Sequence, residues 1–150
     1  MVRMGGSMRP LARMASWLVV LLLGQATVAW ACSCDTTTPA EAVASGDAVV
    51  VATIVGVSWP TLGCGGGAHR NVRIEITEVV AGPAKLGEMR IKTNDSSASC
   101  GLDLAKDEIW VLQLFESDNG TYASLCTAAQ RIEGPDDAWL EALREAASAR

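Results

Sequence analysis

Histidine is almost absent from this 150-residue chain: His69 stands alone, in a glycine-rich stretch. One histidine rules out a histidine-built metal centre. Cys64 and His69 together would supply two ligands where a structural zinc site needs four. No nucleophile elbow, phosphate-binding loop or HExxH motif occurs. The adjacent carboxylates Asp136 and Asp137 stand where a C-terminal helix begins, and there they complement the helix dipole rather than form an acid–base pair. The sequence therefore gives no reason to expect an enzyme, and no cofactor is expected. Positive charge is also scarce. Beyond Ala31 there are nine Lys and Arg against seventeen Asp and Glu, a net charge of −8. Without a basic stripe, such a chain is repelled by nucleic acid and by anionic membrane surfaces. Long apolar runs are missing too. The greasiest segment, WLVVLLLG (17–24), falls well short of the roughly 20 residues that a membrane-spanning helix needs. There is no internal repeat and no low-complexity linker, so one domain is expected.

The first residues read as a secretory signal. Arg3, Arg9 and Arg13 make a basic start, 17–24 make the apolar centre, and AWA (29–31) is a small-residue cleavage site. Cleavage after Ala31 leaves residues 32–150, or 119 residues, as a secreted, extracellular or periplasmic domain with no membrane span. All five cysteines, 32, 34, 64, 100 and 126, stay in it, and export makes disulfides their expected state. Five is odd, so at least one thiol is left over or pairs between chains. Cys64, in GCGGG, is the candidate for a disulfide-linked dimer.

Patterning gives the elements. TPAEAVASGD (38–47) carries a capping Thr38, Pro39 in the first turn and Glu41 three residues after the cap, which predicts a short helix. AVVVATIVGV (48–57) is a β-branched run, a strand buried on both faces. SWPTLGCGGGAH (58–69) predicts a loop at a hairpin tip, where Trp59 is either a contact residue or, in the favoured reading, folded back onto the barrel. NVRIEITEVV (71–80) alternates, with Val72, Ile74 and Ile76 inward, and EMRIKT (88–93) places Met89 and Ile91 inward. EIWVLQLFE (108–116), a DNG turn and TYASLC (121–126) predict a hairpin. DDAWLEALREAASA (136–149) predicts a helix with Trp139, Leu140 and Leu143 as its apolar stripe. Five strands with tight turns between a short and a longer helix suggest a small closed barrel of the OB type. A β-sandwich would need about seven strands.

The chemistry concentrates in Cys32-Ser33-Cys34. If Cys32 becomes the first residue, its α-amine and its own carbonyl oxygen can chelate one metal ion in a five-membered ring. Such an N-terminus could fill the open coordination position that catalytic zinc sites keep for water or substrate. Disulfides at Cys32 and Cys34 would hold the segment still and lower the ordering cost of binding.

This start resembles the tissue inhibitors of metalloproteinases, in a one-domain bacterial style. Those proteins open with Cys-x-Cys directly after the signal peptide, then carry a proline, a short helix and an Asp before the first strand. Pro39, AEAVASG and Asp47 stand at matching offsets. Cys100 in SSASCGLD and Cys126 in YASLCTAA match two later cysteines of the family. The resemblance implies a five-stranded OB-like, or netrin-like, barrel over residues 32–150. It implies disulfides Cys32–Cys100 and Cys34–Cys126, and inhibition of a zinc metalloendopeptidase whose zinc is chelated by the Cys32 amine and carbonyl. Ser33 would point into the pocket that takes the residue after the scissile bond. Cys34 and Asp35 would continue the wedge, and Ala98 and Ser99 would lie beside it.

The sequence departs from that family at Ala44, where a third disulfide would have its first cysteine, and at Cys64, which has no counterpart. Two other readings of the same residues stay open. Cys32 could be lipidated after cleavage, as in bacterial lipoproteins, although Trp30 and the missing leucine three residues before the cysteine fit that poorly. The domain could also be a netrin-like binding module, secreted or lipid-anchored, for a protein or glycan partner without any inhibition.

Overall fold

The computed structural model describes Cys32, Cys34, Asp35, residues 37–62 and residues 68–150. The expected signal segment, Ser33 and Cys64 lie outside the described residues. What is described is mainly β, with two helices: α1 (Pro39–Ala44) and α2 (Ala138–Ser148). The strands are β1 (Ala48–Val57), β2 (Thr61–Leu62), β3 (Ala68–Ala81), β4 (Gly87–Asn94), β5 (Ile109–Ser117), β6 (Gly120–Tyr122) and β7 (Ala129–Ile132).

Five of the strands close on one another. β1 pairs with β3, β3 with β4, β4 with β6, β6 with β5, and β5 returns to β1. All of these pairings are antiparallel except β4–β6, a single parallel pair of Lys92 with Tyr122. β1 makes the closure possible. Its register against β3 slips at Val49/Val50, Val51/Ala52 and Ile54/Gly56, and irregularities of this kind bend a strand and raise its twist.

Two strands went unforeseen in the sequence. β2 lies within the expected loop and pairs Thr61 with His69. β7 pairs along Ile109–Leu112 of β5, next to the stretch of β5 that β6 takes. Both are too short to show an alternation. The strand expected over 121–126 ends at Tyr122, because the residues after it are drawn into hydrogen bonds with the loop around Cys100. Trp59 does not fold back: it is 90% exposed.

The largely apolar run of β1, interrupted by Thr53, follows from its position between two cores. Ala48, Val50, Ala52 and Ile54 join Val72, Ile74, Ile76, Ile91, Leu112 and Leu114 in the larger cluster. Val49 and Val51, on the opposite face, pack with Val111, Ile132 and the helix residues Ala42, Val43, Leu140 and Leu143. Each period-2 half of the strand serves one core. α1 begins as expected at Thr38, whose hydroxyl accepts from the Glu41 N–H at 3.3 Å while its own N–H donates back to the Glu41 carboxylate at 2.8 Å. Asp137 caps α2, accepting from the N–H groups of Trp139 and Leu140 at 2.9 and 3.3 Å. Among the described residues, no helix is long and apolar enough to cross a membrane.

Candidate functional site at the paired disulfides

Two loops converge where the chain enters the fold. The first runs from β4 to β5 and contains a single 3-10 turn, Ser97–Ser99, followed by Cys100. The second runs from β6 to β7 and contains Cys126. The first loop is anchored from below by Thr93, which is 1% exposed and whose hydroxyl accepts from the Leu102 N–H at 2.9 Å. Cys100 takes a left-handed conformation, φ +64°, and its N–H donates to the Ser97 carbonyl at 3.1 Å. Gly101 is required beside it, since a Cβ there would collide with the backbone carbonyl of Asn94. Ser99 stitches the turn by donating to the Asp95 carboxylate at 3.0 Å.

The second loop is held to the first. The Cys100 carbonyl accepts from the Leu125 N–H at 2.9 Å and from the Ser124 hydroxyl at 3.1 Å. Gln113 of β5 fixes the far side. Its amide oxygen accepts from the Ala128 N–H at 3.1 Å, and its amide nitrogen donates to Ser45 Oγ at 3.0 Å and Asp47 Oδ2 at 2.9 Å. One buried side chain thus ties the Cys126 loop to the end of α1.

Against this platform the entering chain is bound covalently. Cys32 is joined to Cys100 and Cys34 to Cys126, with Cα separations of 5.3 and 5.0 Å. These are the pairs that the family resemblance implies. The bridges close spans of 68 and 92 residues, and loops of that length stabilise by about 4 kcal/mol each in the chain-entropy view when formed singly. The bridges also touch each other, with Cys32 Sγ lying 3.4 Å from Cys126 Sγ and 3.6 Å from Cys34 Sγ. Cys32, Cys34 and Cys100 are half-buried, while Asp35, Ala98, Ser99 and Cys126 are exposed. Ala98 and Ser99 directly precede the cysteine that holds Cys32, so the two groups of expected contact residues share one end of the ring. Ser33 is not among the described residues.

Beside the bridges runs a groove of about 500 Å³, lined by Cys32, Cys34, Thr37, Leu125, Gln130 and Trp139. Sequence reasoning missed its far wall. In a strand over 121–126, Leu125 would have been one more alternating residue. In the loop it is 43% exposed. Trp139, expected in the stripe of the C-terminal helix, is half-buried and reaches both the smaller core and this groove. His69 sits in β3, across from Thr61, with Nε2 3.3 Å from the threonine hydroxyl.

Comparison of the chain with known proteins finds no matching family model and no match among curated proteins. The family resemblance rests on the residues named above.

Proposed function

We propose that the chain is a secreted inhibitor of zinc metalloendopeptidases, built on an OB-like, netrin-like barrel of the kind found in the tissue inhibitors of metalloproteinases. The observation that carries this reading is the double tether at the start of the domain. Cys32 and Cys34 are each bonded to a different loop, and those loops are hydrogen-bonded to each other through the Cys100 carbonyl. A segment fixed twice within three residues pays little ordering cost on binding.

After cleavage at Ala31, the Cys32 amine and carbonyl oxygen take two positions on the protease zinc and displace its water. Only the neutral amine is a ligand. An α-amine has an ordinary pKa near 8, and the zinc favours proton loss. Ser33 enters the adjoining specificity pocket, and its small side chain selects weakly. Asp35, Ala98 and Ser99 flank the wedge, and the groove wall at Leu125 lies on the same end.

The test compares two oxidised proteins, one starting at Cys32 and one with a single alanine added in front, against a panel of zinc endopeptidases. Inhibition by the first alone assigns the function to the free amine. It should weaken as pH falls and the amine protonates. If neither protein inhibits, Cys32 is only a disulfide half and the domain is a binding module. Intact mass of the exported protein provides the second check, because a diacylglyceryl group on the Cys32 sulfur would preclude the Cys32–Cys100 bridge and exclude the wedge.

A further inference from the structure

We propose that the four cysteines of the paired bridges form a second, alternative site: when reduced, they bind one zinc ion as a four-thiolate centre. The sulfurs of Cys32, Cys34, Cys100 and Cys126 all lie within 4.8 Å of one another. A tetrahedral zinc–thiolate centre with Zn–S of about 2.3 Å requires sulfurs about 3.8 Å apart. Contacts between the two bridges, at 3.4 and 3.6 Å, are already close to that spacing. The bonded pairs must spread, which side-chain rotation can largely supply, and the remaining pairs already lie within 4.8 Å.

The platform does not depend on the bridges alone. Cys100 and Cys126 are brought together by the hydrogen bonds from Leu125 and Ser124 to the Cys100 carbonyl. Their loops are pinned by Thr93 to Leu102 and by Gln113 to Ala128. The loops of two of the four ligands are thus joined by hydrogen bonds that reduction itself does not cut. Cys32 and Cys34, whose sulfurs lie 3.6 Å apart, are the pair that the metal recaptures. Exposed Cys126 provides the entry side. The site is independent of the inhibitory reading, which concerns the oxidised chain and the Cys32 amine.

The chemistry balances with a phosphine as reductant. Each of two phosphines cleaves one disulfide, takes an oxygen from water to become the phosphine oxide, and leaves two thiols. The four thiols then bind the divalent ion and release four protons, giving a centre of charge −2.

Cobalt(II) serves as the probe, because a tetrahedral thiolate site gives intense visible bands and near-ultraviolet charge transfer that aqueous cobalt lacks. The exported protein, reduced with phosphine under argon, should bind cobalt with saturation at one ion per chain, and zinc should bleach the signal. Cys34→Ser and Cys126→Ser should each weaken binding by more than about tenfold, whereas Cys64→Ser should leave it unchanged. In urea sufficient to unfold the chain, affinity should fall by at least about tenfold. The urea comparison covers variants that do not fold. The proposal is overturned by the absence of one-to-one saturation, by dependence on Cys64, by indifference to Cys126, or by equal affinity in urea.

Discussion

Gln113 offers the sharpest test of how the site is held. It is 6% exposed, on the face of β5 that looks toward the helices, and both ends of its amide are used. Gln113→Leu keeps the volume and removes the three bonds. Ser45 and Asp47 sit near the surface and can turn to water, but the Ala128 N–H belongs to a residue 2% exposed and is left without its partner. An orphaned buried donor costs about 1–3 kcal/mol, and that is the expected loss of unfolding free energy. Gln113→Glu separates polarity from charge. The introduced carboxyl can still accept from Ala128, but it faces Asp47 Oδ2 at the position where the amide nitrogen stood 2.9 Å away. Two carboxylates at that range repel by about 6 kcal/mol at an effective dielectric near 20, so the new group holds a proton to higher pH than in the unfolded chain. A carboxyl whose folded pKa is raised loses stability as pH rises, by about 1.4 kcal/mol per unit between the unfolded and folded values. Urea unfolding at pH 5, 6 and 7 should therefore show a Gln113→Glu deficit that grows with pH and exceeds that of Gln113→Leu at pH 7. A Leu variant within about 0.5 kcal/mol of wild type, or a Glu deficit flat from pH 5 to 7, would refute the network.

Thr93→Val removes the acceptor for the Leu102 N–H and should cost about 1–3 kcal/mol in urea unfolding; a change near zero would mean that the Cys100 loop is anchored elsewhere. Gly101→Ala drives a Cβ into the Asn94 carbonyl, so exported protein should carry incompletely oxidised Cys100, read by alkylation and mass; full oxidation at wild-type yield counts against the close approach. Arg144 of α2 makes a two-pronged ion pair with Glu78 of β3, at 2.9 and 2.7 Å. Its hydrogen bonds hold the Glu78 carboxyl below its ordinary range. A depressed carboxylate contributes stability above its unfolded value, near 4.3, and loses it as pH falls through the folded value. Both side chains are about a third exposed, so Glu78→Gln should cost only about 0.5–1 kcal/mol at pH 7, and the difference should close in acid. A gap that persists in acid would mean that charge is not what holds α2 there.

What could be read from the sequence, and what could not, divides along a physical line. β1, the body of β3 and α2 were legible because each is long enough to repeat its period several times, and each has a face fully committed to a core. Thr38, Pro39 and Glu41 announced α1 because a capping box is a local arrangement that needs no distant partner. β2 and β7 were not legible, since two and four residues cannot establish an alternation and both owe their existence to a neighbour's free edge. The loss of strand after Tyr122 was hidden for a related reason. TYASLC has the composition of a strand, and it leaves the sheet because Ser124 and Leu125 bond instead to the carbonyl of Cys100, some two dozen residues earlier. Gln113 looked like one polar residue in an apolar strand. Nothing local shows that it faces both the end of α1 and the turn before β7.

The same division explains why the cysteines carried more information than the strands around them. A strand pattern constrains which face is buried but leaves its neighbours open. Cys32 and Cys34 are each bridged to a different partner, so the entering chain is held at two points rather than one. One bridge alone would leave the entering chain free to pivot about it. With both bridges, reduction of either should release that freedom. On the proposed inhibitory function, Cys34→Ser should therefore lower potency in the oxidised Cys32-start protein even though the amine and the Cys32–Cys100 bond remain. Titration against a susceptible endopeptidase should show a loss expressed chiefly in dissociation rate, as expected when a preorganised segment becomes mobile. Unchanged potency in that variant would show that one tether suffices and that the second bridge serves the fold alone.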